Sequence, residues 1–166
     1  MKTIKSIVLA IIFSSLSFVA FNVEGAEKST WDRYINRTFQ SIIEQHREVV
    51  GGADIVTSMH DFASCVTVVY MGKHRLLTAS RARFLDTFYI DKSKMRALYE
   101  SEVLVREGKR QFWLPIQKEL LPYLLEEVKE GQQFVVFATW LGGYKDDKEF
   151  EWVFTITAFD SLQKEK

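Results

Sequence analysis

A single cysteine, Cys65, in 166 residues excludes an intramolecular disulfide. Histidine is scarce too, and His46, His60 and His74 include no pair spaced to hold one metal on a helix. His60-Asp61 together with Cys65 offers mixed donors, but a tetrahedral zinc site wants a further ligand that is not nearby in the sequence. No metal and no cofactor is therefore expected. The chain also lacks a G-x-S-x-G elbow, which removes the commonest serine-hydrolase arrangement. Charge of either sign is not in excess, with 22 basic and 22 acidic residues. Such a balance supplies no long-range field to gather nucleic acid or anionic lipid.

One long hydrophobic run is present, and it lies at the start. Met1-Lys2-Thr3-Ile4-Lys5 is cationic, Ser6–Phe21 carries no charge, and Asn22-Val23-Glu24-Gly25 is polar with small residues. This three-part order is that of a secretory signal peptide. The run is interrupted by Ser14, Ser15 and Ser17 and is shorter than the roughly 20 apolar residues of a spanning helix. Cleavage after Gly25 leaves 141 residues and, with Lys2, Lys5 and Glu24 gone, a formal charge of −1. The mature chain then has no membrane anchor and is periplasmic or secreted. Cys65 opens the apolar run to Met71, where it reads as a small buried hydrophobe and not as a nucleophile.

Periodicity supplies the elements. Trp31, Ile35, Phe39, Ile42, Ile43, Val49 and Val50 form one stripe of a helix that Ser29 or Thr30 caps and Gly51-Gly52 ends. Ala53–Ser64 is ambiguous between a short helix and an irregular connection, and Cys65–Met71 is a buried strand. Thr78 or Ser80 caps a short helix carrying Phe84, Leu85 and Phe88, with a strand as the alternative, and Lys92-Ser93-Lys94 is a loop. Leu98–Arg106 and Lys109–Leu114 make a hairpin about Glu107-Gly108, closed by Pro115. Ile116–Glu130 is helical, with Pro122 in its first turn or at a kink. Phe134–Leu141 is a strand covered on both faces, Gly142–Lys148 a polar loop, and Phe150 to Ala158 alternates as a final strand.

Order and number suggest an α+β fold. The expectation is a small five-stranded antiparallel OB-like barrel or sheet, with an N-terminal helix and a helix between strands 3 and 4. An antiparallel sheet with helices on one face has nearly the same signature. The divisions are 1–25 signal peptide, 26–64 N-terminal helical segment, 65–160 β domain and 161–166 polar tail.

One cluster stands out chemically. Arg106, Lys109 and Arg110 surround the hairpin turn with Trp113 just beyond, and Tyr144 and Lys145 occupy the expected late loop. Aromatics offer stacking and Lys/Arg offer anion contacts, although wet turns are commonly charged and Trp113 also suits a core. The leading expectation is a non-enzymatic exported binding or protein-interaction domain, its partner a protein, a glycan or a small anionic ligand. The alternative is a small envelope-directed hydrolase using Glu100 or Glu102, which share one face of a strand at a spacing near that of paired catalytic carboxyls.

Overall fold

The structure is a computed structural model that describes residues 33–88, 97–147 and 149–162, with the backbone only for 59–62. The signal segment Met1–Gly25, the caps Ser29 and Thr30, Trp31, the Lys92–Lys94 loop and the tail after Leu162 lie outside the described residues, as do the side chains of His60 and Asp61. In chain order the elements are β1 (Ile35–Asn36), α1 (Phe39–Val50), β2 (Ile55–Leu76), α2 (Ala79–Leu85), a 3₁₀ turn (Asp86–Phe88), β3 (Tyr99–Glu107), β4 (Arg110–Gln117), α3 (Leu121–Glu127), β5 (Gln133–Asp146) and β6 (Glu149–Asp160).

The α1 helix starts at Phe39, eight residues later than the apolar stripe suggests. Its boundary is set by Thr38, whose hydroxyl accepts the Ser41 N–H at 3.0 Å. Glu107, at the end of β3, accepts the Phe39 and Gln40 N–H groups at 2.9 and 3.0 Å. The first-turn amides thus find acceptors, and a carboxylate meets the positive end of the helix dipole. Thr78 caps α2 through the Arg81 N–H in the same way. Pro122 falls in the first turn of α3, where its missing N–H costs nothing.

Six strands form one sheet in the order β1-β2-β3-β4-β6-β5, with β2 also bonded to β5. The 22-residue β2 reaches β3 with its C-terminal part and β5 along most of the rest, so the sheet coils back on itself. One face carries Phe39, Ile42 and Ile43 of α1 and Leu124 of α3 over Val66, Val105, Leu114 and Phe154. The other face carries Phe84 and Leu85 of α2 over Tyr99, Tyr144 and Val153. With both faces covered, the outward positions of β6 are buried as well: Val153, Phe154, Thr155 and Ile156 are all inside.

These pairings overturn the expected five-stranded antiparallel OB-like barrel. The sheet is mixed, with six strands among the described residues, and β1–β2 and β4–β6 run parallel. Nor do the helices keep to one face, as the simple antiparallel alternative requires. The physical cause is in three stretches. Ile35–Asn36 is drawn from helix to strand by pairing with Ser64 and Cys65. Ala53–Ser64 is mostly strand, so the boundary drawn at 64/65 falls within β2.

The third stretch is Gly142–Asp146, which continues β5 where a loop was expected. A Cβ on Gly142, whose φ is 118°, would overlap the Val56 carbonyl, and one on Gly143 would overlap the Glu151 carbonyl. The two glycines mark close passage of β2 and β6, not a turn. The chain reverses afterwards at Asp147, with Asp146 and Glu149 paired. The β3–β4 turn is likewise displaced by one residue, because Glu107 pairs with Arg110 and leaves Gly108-Lys109 as the turn.

Pro115 does not close β4 but sits inside it, opposite Glu102. Alternation from the two-residue turn makes this a non-hydrogen-bonded pair, so the proline nitrogen faces β6. There the ladder is paired only at Ile116 and Ile156. The next rung would need an N–H from Pro115, which has none. The β4–β6 seam is consequently short of backbone bonds just where the Trp113 carbonyl also faces it.

Candidate functional site

Arg81 fills that seam from α2. Its Nη1 donates to the Trp113 carbonyl at 2.5 Å and to Glu102 Oε2 at 2.6 Å. Its Nη2 donates to Glu151 Oε2 at 2.9 Å. One planar guanidinium therefore ties together β3, β4 and β6, a geometry that its fixed fork of donors suits and a lysine's point charge does not. The second oxygen of Glu102 accepts Arg75 Nε at 2.7 Å, and the Arg75 guanidinium stacks 3.9 Å above the Trp113 ring. The row Arg75–Glu102–Arg81–Glu151 is neutral in sum. Burial alone would favour uncharged Arg81, but Glu102, then Tyr144 and Glu151, outweigh it and push its pKa above the ordinary arginine value. The stability Arg81 gains from this pairing is fully present below the ordinary value and is lost only as pH rises through the raised one. It is constant across the neutral and mildly alkaline range.

On the other face, at the end of the core, α1 and the strand ends leave an open groove of about 450 Å³. Arg47 enters from α1, Arg110 from β4 and Lys145 from β5, over Phe150 and Trp152 of β6. No carboxylate lines it, and among the described residues none pairs with these three cations. Arg47 has a local reason to be present, since a cation at the C-terminal turn of α1 complements the helix dipole. Arg110 and Lys145 have no such compensation. The rings behind them form a ladder: Phe150 meets Trp152 edge-on at 5.3 Å, Trp152 lies 5.7 Å from Trp140, and Trp140 lies 4.4 Å from His46.

Of the six residues singled out in the sequence, Arg110 and Lys145 converge on the groove. Arg106 instead turns back to the Gly108 carbonyl at 3.0 Å, and Lys109 is exposed at the turn. Trp113 lies under Arg75, within the ion-pair row. Tyr144 is buried against Phe84 of α2, so it offers no stacking face to a ligand in the groove. Arg47, Phe150 and Trp152 complete the groove and had not been singled out. The signal for the two rings is their i, i+2 spacing in β6, which places them on one face.

Glu102 is wholly buried with both oxygens engaged by arginines, and Glu100 is exposed and bonded to Lys118 at 2.7 Å. The two carboxylates thus differ in setting: Glu102 is enclosed between two arginines, and Glu100 stands at the surface in a solvent-exposed pair. Asp146, Asp147, Glu149 and Glu151 line an open hollow at the β5–β6 hairpin. Burial, then Asp160, raises the Cys65 pKa, which lowers its thiolate fraction and any nucleophilic capacity. Among the described residues no cluster of three or more metal-ligating side chains occurs, and no helix is long and apolar enough to cross a membrane. The chain matches no family model, no curated protein and no solved structure.

The two kinds of ion pair should separate by energy. Arg81→Ala leaves the buried Glu102 with one of its two arginine partners, the half-exposed Arg75, and is expected to cost about 3–5 kcal/mol in urea denaturation. Lys118→Ala, which breaks the exposed pair with Glu100, should cost less than about 1 kcal/mol. Equal losses would show that Arg81 does not hold the seam.

Proposed function

We propose that the mature chain is a non-enzymatic exported binding domain that takes a small anionic ligand with an apolar ring face in the groove of Arg47, Arg110 and Lys145. The observation that carries this reading is the convergence of three cations from three elements, with no carboxylate among them, over two aromatic side chains. Charge-assisted hydrogen bonds contribute about 1.5–3 kcal/mol each, so an anion bridging two of these cations gains enough to hold a ligand whose ring rests on Trp152. A neutral ligand forgoes that gain and leaves the cations mutually repelling.

Phenyl phosphate is a suitable probe, with benzyl alcohol as its neutral counterpart. Calorimetry is expected to show binding of phenyl phosphate that weakens with added salt, and no comparable binding of benzyl alcohol. Arg110→Ala combined with Lys145→Ala should weaken phenyl phosphate at least about tenfold while leaving the melting temperature nearly unchanged, since both side chains are exposed. Unchanged affinity in that double variant would reject the site.

The export half of the proposal rests on the order of charged, apolar and small residues across Met1–Gly25. Expression of the full chain in a secreting host, followed by N-terminal sequencing of the exported product, should begin at Ala26. A product retaining Met1 would contradict cleavage.

A further inference from the structure

We infer that Arg81, which does not touch the groove, sets its width and so is a positioning residue for whatever anion binds there. This rests on the groove reading above and adds a control point on the opposite face of the sheet. The groove is shared between β4, which supplies Arg110, and β6, which supplies Phe150 and Trp152. Backbone bonding does not fix the spacing of those strands at that end, because they pair only at Ile116 and Ile156 and Pro115 blocks the next rung. Arg81 is the bridge: it holds the Trp113 carbonyl of β4 and the Glu151 carboxylate of β6 in one guanidinium.

Glu151 lies between Phe150 and Trp152, so its side chain points to the α2 face while theirs line the groove. Anchoring Glu151 therefore anchors the two rings. Tyr144 adds a second hold, since it pairs with Glu151 across β5–β6 and packs on Phe84 of the helix that carries Arg81. Lys145, the next residue, faces the groove. Both sides of the hairpin are thus referred to α2.

Glu151 is the residue to vary, because its side chain is 42% exposed and the buried Arg81–Glu102 pair survives its loss. Electrostatics and positioning give opposite signs. Removing a carboxylate near a cationic groove would by charge alone strengthen an anion. Freeing β6 from Arg81 would weaken it. Glu151→Ala is expected to weaken phenyl phosphate severalfold, whereas Glu151→Gln, which loses the charge but keeps an acceptor for Arg81, should bind at least as well as the unaltered chain.

A ligand-free readout runs in parallel. With 5-fluorotryptophan incorporated and Trp152 assigned through Trp152→Phe, the Trp152 fluorine resonance should shift in Glu151→Ala and stay in place in Glu151→Gln. If the unaltered chain fails to bind phenyl phosphate, the groove reading falls, and the fluorine resonance still decides the positioning role. Tighter binding by Glu151→Ala, or a Trp152 resonance unmoved in both variants, would overturn the inference.

Discussion

A guanidinium can do for a sheet what a missing backbone bond cannot, and Arg81 does so at the seam between β4 and β6. Pro115 removes the donor that would extend the parallel ladder beyond Ile116 and Ile156, and the Trp113 carbonyl is left facing the gap. Arg81 takes that carbonyl and two carboxylates at once. The arrangement also explains why Glu102 can be wholly buried in the middle of a strand: each of its oxygens has an arginine. A buried carboxylate with one partner removed would be left with an uncompensated desolvation cost, so the pair acts as a constraint on which residues can stand there rather than as a source of large net stability. Replacing both partners by apolar residues would satisfy burial, but it would leave the Trp113 carbonyl without its donor.

The faces of the sheet divide the labour. On one, α1 and α3 close a largely aliphatic and aromatic core, and Glu107 fastens the start of α1 to the end of β3. On the other, α2 lays Phe84 and Leu85 over a smaller core and inserts Arg81. The cationic groove opens where α1 ends and the β5–β6 hairpin begins, so its three charges come from elements that both cores position. Such a site is built on strand and helix ends, not on free loops, and pre-organisation of this kind reduces the ordering cost of binding.

Much of this was readable from residues alone, for identifiable reasons. The β-branched run after Cys65, the alternation from Phe150 to Ala158 and the caps of the short helix are local signals, and local packing agrees with them. Gly142-Gly143 misled because glycine serves both turns and close strand crossings, and only the passing Val56 and Glu151 carbonyls distinguish the two. The stripe from Trp31 overran because Ile35 keeps helical spacing while its backbone pairs with β2. The parallel β4–β6 contact, which separates this fold from the antiparallel expectation, depends on partners about 40 residues apart that no periodicity reports. Arg110 and Lys145 were recognisable as a cationic pair beside aromatics. Arg47 was hidden because it stands on a helix far from them in sequence, and Trp113 and Tyr144 fall outside the groove, under Arg75 and against Phe84, because an aromatic beside a basic residue reads the same in sequence whichever face of the sheet it takes.

The most direct test of the seam is native-state amide hydrogen exchange on Arg81→Met, a substitution that keeps the side-chain volume and removes the donors. The amides of Ile156 and of Gln117, the residue after Ile116 at the one paired position between β4 and β6, are expected to lose protection well before those of Val66 and Val136, which are paired in the long β2–β5 ladder. A uniform loss across both ladders would contradict a local role for Arg81 and reduce it to one contributor among many to global stability.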